Sequence, residues 1–429
     1  MKEGSSGIAK IAREAVRAGK LPDAANLYRQ LLEIEPEHIG ALTFLSFMAK
    51  ESGDFKTSND LLQRALLVEP DNALLWRNLG ILESGMDEYD SARSSFEKAV
   101  TLDSRSALNH LYLAETIEEL GQLETATQHY LSAMAGEPTL AENVENPEIK
   151  RLIRRAKQAR SKLHLSYHQE VLAGLEQEYP DKDLVRVHDF VAKHHGQTPV
   201  EYAHPLQRPA FQYFPGLLPK PWFEAQEFEW AQRTAEKTAA VRQELLAVID
   251  DEQVLSPYVA HQGKVPNAWR KLTNSLNWSA YHIYKEGEKV VPHCQQCPET
   301  ADMLANLPLV TMPGQAPEAF FSILRPGTHI PPHFGLANLK LAVHLPLVIP
   351  DNCAIRVGEE TRKWEPGSCL VFDDSFEHEA WNKSEESRAV LIFEVWNPQL
   401  TEIERDAVAK LTAATVRFHD FCQKSSAIQ

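Results

Sequence analysis

Two periodicities divide this chain. Through its first third, apolar and small residues recur at helical spacing in paired segments, and the pattern repeats every 34 residues: LLEIEP ends at Pro36, ALLVEP at Pro70, AVTLDS at Ser104 and SAMAGEP at Pro138. Gly19, Gly53, Asp87 and Gly121 share one column, where a turn between two helices needs a residue that tolerates positive φ. Ala24, Ser58, Ala92 and Ala126 stay small for close helix crossing, while Tyr28, Leu62, Phe96 and Tyr130 fill the core opposite them. From about residue 320 the period falls to two. AFFSILRPG, LKLAVHLPLVIP, CAIRVG, TRKWEPG, CLVFDD and SRAVLIFEVW are short alternating segments bounded by Gly, Pro, Asp or Asn. Paired helices followed by many short strands make this a multidomain α + β chain.

A 34-residue helical period is that of the tetratricopeptide repeat, and Trp76, Leu79 and Gly80 fit the W-x2-L-G start of its signature. Four such units predict a solenoid over residues 1–140. No single unit can bury its apolar face, so the units stack and leave a concave surface. That surface either holds a protein or peptide partner or only caps and rigidifies the next domain. A long helix is predicted after Pro138, and the Pro-rich stretch GQTPVEYAHPLQRP marks a boundary near residue 200, so 141–204 reads as a helical cap and linker. The short strands of 205–429 predict a jelly-roll or related double-stranded β-helix, in which two sheets fold together and protect their edges.

Charge and composition narrow the options. The formal net charge of −16 argues against nucleic acid or an anionic membrane surface as the main partner. The basic run Lys150, Arg151, Arg154, Arg155, Lys157, Arg160 and Lys162 is therefore read as a solvated face or a bridge to the next domain. Five cysteines without framework spacing, a polar N-terminus and the lack of any run of about 18 apolar residues predict a cytoplasmic chain with no membrane span. Cys294 and Cys297 make half of a zinc site with no second pair to complete it.

Three residues of the C-terminal half stand out by type and order. His333 opens the HFG that ends THIPPHFG, His378 lies in DDSFEHEAW, and Arg388 opens the following strand. In a jelly-roll, positions distant in sequence converge at one mouth, where two neutral imidazoles could hold a first-row metal and an arginine could fix a carboxylate by a bidentate pair. Structural histidines at strand ends remain the alternative. His329 shares the proline-bounded turn with His333 but need not face the same way, and it is not assigned as a ligand.

The motifs FPGLLPKPW, FFSILRPGTHIPPHFG, HLPLVIP, WEPGSCLVFDDSFEHEAWN and VWNPQLT resemble the aspartyl/asparaginyl β-hydroxylase family of Fe(II)- and 2-oxoglutarate-dependent oxygenases across residues of about 205 to 405. The resemblance implies that His333 and His378 bind iron and that Ser322, His344 and Arg388 contact 2-oxoglutarate, with His344 nearer the metal. It further implies that Asp374 positions the turn carrying His378. Gly335 stands where many wider relatives place a carboxylate ligand, a substitution the hydroxylase family shares. Ala342 stands where animal relatives place an arginine, and Lys340, on the same strand face, is expected to substitute in part.

The expected activity is hydroxylation of an aspartyl, asparaginyl or related substrate. The alternatives are hydroxylation of a small metabolite or lipid acyl chain, halogenation at the open metal position, and an inactive binding scaffold.

Overall fold

The computed structural model describes residues 2–136, 145–249 and 253–427. The chain forms two compact units, residues 1–166 with 418–429, and residues 167–417.

In the first unit, paired antiparallel helices follow one another as the 34-residue period requires: α1 (Lys2–Arg17) with α2 (Leu21–Ile34), α3 (Ile39–Glu51) with α4 (Phe55–Val68), α5 (Ala73–Ser84) with α6 (Tyr89–Leu102), and α7 (Ala107–Glu119) with α8 (Leu123–Gly136). The turn column behaves as the sequence demands, with φ of +73° at Gly19, +81° at Gly53, +60° at Asp87 and +79° at Gly121. The second helix of a pair and the first of the next are separated by caps that the sequence supplies. Asn72 accepts from the backbone of Leu74 and Leu75, and Ser106 accepts from that of Asn109. Ala24, Ser58, Ala92 and Ala126 are all buried, as are Tyr28, Leu62, Phe96 and Tyr130. The small residue of the signature has a direct reason: a β-carbon on Gly80 would lie 2.7 Å from the Phe96 ring. Pro138, the last of the four expected repeat ends, lies outside the described residues.

The predicted basic helix is α9 (Pro147–Glu178). Its arginines meet the carboxylates of α7: Arg151 pairs with Glu115, and Arg155 pairs with Glu115, Glu118 and Glu119. This stretch is thus a packing face against an acidic helix rather than a nucleic-acid arm.

In the second unit, α10 (Val185–His194) precedes an irregular stretch and the strand β1 (Trp222–Phe223). Then come α11 (Glu229–Glu236), α12 (Thr238–Val248), β2 (Ser256–Pro257), β3 (Trp278–Lys285), β4 (Glu288–Lys289), α13 (Val291–Gln296) and α14 (Pro298–Ala305). The remaining strands are β5 (Ala319–Leu324), β6 (His329–His333), β7 (Lys340–Val348), β8 (Cys353–Val357), β9 (Glu360–Arg362), β10 (Leu370–Phe372), β11 (His378–Asn382) and β12 (Arg388–Trp396), followed by α15 (Glu402–Ala427). These strands pair antiparallel. One sheet runs β1-β10-β7-β12-β5-β3-β2, with β4 on β3, and the other runs β6-β11-β8-β9. From β5 onward the strands alternate between the two sheets as a jelly-roll requires, apart from the β8–β9 hairpin. The sheet begins earlier than the periodicity indicated, because β3 pairs with β5 although its sequence, WSAYHIYK, is buried on both faces and alternates poorly.

The strand period of two sorts every side chain of the larger sheet. Leu341, Val343, Leu345 and Leu347 of β7, with Ala389, Leu391, Phe393 and Val395 of β12, pack under Val241, Leu245 and Val248 of α12 and Met303 and Leu304 of α14. The alternate positions, Ala342 and Val390 among them, turn to the other sheet and meet Ile330, Ile355 and Ala380. Lys340, Ala342 and His344 of β7, Arg388, Ile392 and Glu394 of β12, and Phe320 and Ser322 of β5 thereby line a cavity of about 920 Å³ on this inner face.

Candidate active site

β6 and β11 are paired so that His333 and His378 are direct Cα partners. Their ring centroids lie 4.0 Å apart. Each ring is oriented the same way by its own backbone: His333 Nδ1 lies 2.9 Å from the Pro331 carbonyl oxygen, and His378 Nδ1 lies 2.9 Å from that of Phe376. A carbonyl only accepts, so both Nδ1 atoms carry the proton and both Nε2 atoms keep a lone pair. Burial keeps the imidazoles neutral, pulling His333 down to about 3 with help from His378, and His378 down to about 4. Trp269 stands edge-on to His333 at 5.4 Å and shields one side of the pair. Two neutral imidazoles with oriented Nε2 atoms form a donor set that suits a first-row divalent metal.

Gly335 follows two residues after His333. Its N–H donates to the Asp374 carbonyl at 2.7 Å, and the Asp374 side chain fills the place where a residue-335 side chain would begin. Asp374 Oδ1 has no hydrogen-bond partner among the described residues, and burial raises its carboxyl above the usual range. The expected role of Asp374 in bracing the His378 turn falls instead to its neighbour. Asp373 Oδ1 accepts from the Ser375 N–H at 2.9 Å and from its hydroxyl at 2.5 Å, while Asp373 Oδ2 accepts from Gln207 Nε2 at 2.9 Å. Adjacent residues of an extended turn face opposite ways, so only one of the two aspartates can hold the turn while the other looks into the cavity.

Ser322, His344 and Arg388 lie on three neighbouring strands of the same cavity wall: Val390 is the partner of Ser322, and Ile392 of His344. Arg388 is 1% exposed. Its contacts are weak ones, Nη1 donating to the Ser322 carbonyl at 3.3 Å and hydroxyl at 3.4 Å, and its Nε has no partner among the described residues. Burial draws the guanidinium down to about 10, and no carboxylate among the described residues compensates it. Such a cation is built to receive an anion. The Trp364 ring lies over it at 4.8 Å, and Trp364 Nε1 donates to His344 Nδ1 at 3.2 Å. Trp278 Nε1 donates to Ser322 Oγ at 3.1 Å.

One sequence expectation, that for Lys340, is changed by the register, and the reading of His329 as no ligand agrees with its position. Lys340 does not stand in for the arginine missing at Ala342, because its ammonium is buried against the Glu394 carboxylate across the β7–β12 pairing. His329 is turned outward to Glu379, at 2.8 Å, and takes no part in the cavity. The tryptophans Trp269, Trp278 and Trp364 went unremarked in the sequence, where only their contacts could have singled them out.

A two-sheet fold that brings paired neutral histidines and a buried, uncompensated arginine onto one cavity defines a site suited to a metal and an anion together. Residues 235–398 match the family described as aspartyl/asparaginyl beta-hydroxylase. The human aspartyl/asparaginyl beta-hydroxylase is 27% identical over 357 residues, covering 82% of this chain and 42% of the relative. The ornithine lipid ester-linked acyl 2-hydroxylase of Rhizobium tropici is 31% identical over 181 residues, covering 42% of this chain and 61% of the relative. The chain thus spans less than two thirds of the length of either. Among solved structures, that of MamA protein is 16% identical and covers 48% of this chain and 100% of its own, with a TM-score of 0.32.

Proposed function

We propose that this chain is an Fe(II)- and 2-oxoglutarate-dependent hydroxylase, with His333 and His378 as the metal ligands and Arg388, Ser322 and His344 as the cradle of the co-substrate. The observation that carries the reading is Arg388: a fully buried guanidinium with no carboxylate partner, on the same cavity as two imidazoles whose Nε2 atoms are free to coordinate.

When bound, iron and 2-oxoglutarate supply the oxidising chemistry, in which oxygen is consumed and the keto acid loses carbon dioxide to become succinate. The chain's own residues do the rest. Arg388 pairs with the distal carboxylate, its planar fork fixing the direction of the dicarboxylate. Ser322 adds a hydroxyl at that end, and His344 a ring N–H at the other. Gly335 would bring no side chain to the metal, and the Asp374 carboxyl beside it, with Oδ1 unpartnered among the described residues, would offer a hydrogen-bond acceptor there. Trp269, Tyr258 and Phe334 wall the cavity and keep bulk water from the reacting centre.

The substrate reading is an aspartyl, asparaginyl or related side chain, presented with the help of a peptide held by the helical repeats of this cytoplasmic chain. A second reading is favoured by the apolar part of the cavity lining, where Phe211, Met312, Phe320 and Leu336 would suit an acyl chain.

The test is anaerobic titration of the protein with Fe(II) and then 2-oxoglutarate, following the visible charge-transfer band of the chelate. The expected band vanishes in His333→Ala and needs far more 2-oxoglutarate in Arg388→Ala. No band at any 2-oxoglutarate concentration in the wild type would sink the proposal.

A further inference from the structure

The three polar groups assigned to the co-substrate could each face the cavity as donor or acceptor, and a dicarboxylate is bound well only if all of them donate. Arginine has no choice, but a serine hydroxyl rotates and a neutral histidine has two tautomers. Two buried indoles remove both freedoms. Trp364 Nε1, a group that can only donate, points at His344 Nδ1 at 3.2 Å. That nitrogen must then hold a lone pair, which places the ring proton on Nε2. Trp278 Nε1 donates to Ser322 Oγ at 3.1 Å, and Arg388 Nη1 approaches the same oxygen at 3.4 Å. With both lone pairs of Ser322 Oγ facing donors, its own hydrogen is left to point elsewhere.

We propose that Trp278 and Trp364 are positioning residues that fix the hydrogen polarity of Ser322 and His344, so that these two and Arg388 form a cradle of donors only, which selects a doubly anionic keto acid over neutral or cationic compounds. This rests on the co-substrate reading above but is tested separately from it. The indoles act before any ligand arrives. Trp364 is 3% exposed and Trp278 is 6% exposed, so neither bond competes with bulk water. Trp364 serves twice, since its ring face also covers the Arg388 guanidinium at 4.8 Å and favours a charged arginine there.

The experiment is nitrogen NMR of the metal-free protein labelled at histidine, with the His344 signals assigned by their loss in His344→Gln. In the wild type His344 is expected as the Nε2–H tautomer, with Nδ1 unprotonated. A wild-type His344 carrying its proton on Nδ1 would overturn the proposal without any further variant. In Trp364→Phe, which keeps an aromatic face for Arg388, the tautomer preference is expected to weaken and the 2-oxoglutarate Kd of the Fe(II) protein to rise about tenfold, the loss of roughly one buried hydrogen bond. Trp278→Phe is expected to raise that Kd by a similar factor while leaving the His344 tautomer as in the wild type. Unchanged Kd and unchanged tautomer in a folded Trp364→Phe would also overturn it. If the wild type binds no 2-oxoglutarate, the co-substrate reading fails, and the tautomer measurement still judges the role of Trp364.

Discussion

A β-carbon on Gly335 would lie 2.3 Å from the carboxylate carbon of Asp374, so these two residues exclude one another's side chains. The glycine is therefore required by packing: the carboxyl of a later turn already occupies the place where a side chain at 335 would begin. Gly335→Ala is expected to destabilise the protein by about 1–3 kcal/mol through overpacking, and Gly335→Asp by at least as much. Adding Asp374→Ala to Gly335→Ala should recover most of the loss. Thermal melts of the single and double variants decide this, and a Gly335→Ala protein that melts with the wild type would show that Asp374 moves aside at little cost.

Much of this was legible in the sequence, for identifiable reasons. The repeats could be read because each unit poses the same packing problem, so Gly19, Gly53, Asp87 and Gly121 recur in register and take positive φ. His333, His378 and Arg388 stand out by type and order, while Ser322 and His344 are named only through the family resemblance; strand alternation is why all five reach one cavity face. The pairing of Lys340 with Glu394 could not be read. It depends on a register that sets residues 54 apart side by side, and nothing local in either strand encodes it. The division of labour between Asp373 and Asp374 was hidden for the same reason, as it is decided by Gln207 and Gly335 from elsewhere in the chain.

Gly80 is the corresponding position in the helical unit. Its missing side chain lets the Phe96 ring lie against α5, and a β-carbon there would be 2.7 Å from that ring. The ring is rigid and almost wholly buried, so it cannot yield as a flexible side chain would. Gly80→Ala gains helix propensity of about 1 kcal/mol, yet it should destabilise the unit, because an overpacked aromatic costs about 1–3 kcal/mol. Circular dichroism at a helical wavelength reports the melt, and a stabilised Gly80→Ala would refute the packing argument.

Glu318 gives a pH dependence. Burial raises its carboxyl to about 7, against an ordinary value of 4.5, partly offset by the Glu286 N–H that it accepts at 2.5 Å. With the folded pKa above the unfolded one, the folded state binds the extra proton between about pH 4.5 and 7, and stability is lost as pH rises through that window. Glu318→Gln mimics the protonated form. It should change the melting temperature little at pH 5 and raise it by a few degrees at pH 8, an effect of about 1 kcal/mol. Equal shifts at both values would mean that the carboxyl is not held in its neutral form by the fold.

Arg388 separates stability from function most sharply. A guanidinium that is 1% exposed, with Nε unpartnered and no carboxylate nearby among the described residues, costs the empty protein solvation energy that its long bonds to Ser322 do not return. Arg388→Met keeps the length of the side chain and removes the charge. The ligand-free protein should therefore melt at the wild-type temperature or above it, while 2-oxoglutarate binding to the Fe(II) form weakens at least about thirtyfold, since a buried charge pair lost on one side costs about 2–5 kcal/mol. Arg388→Lys keeps a cation without the planar fork and should fall between the two in affinity. Paired measurements of melting temperature and anaerobic 2-oxoglutarate titration test this directly. If Arg388→Met unfolds the protein and Arg388→Lys rescues the fold, the arginine is a structural cation, and the argument that it waits for an anionic ligand loses its foundation.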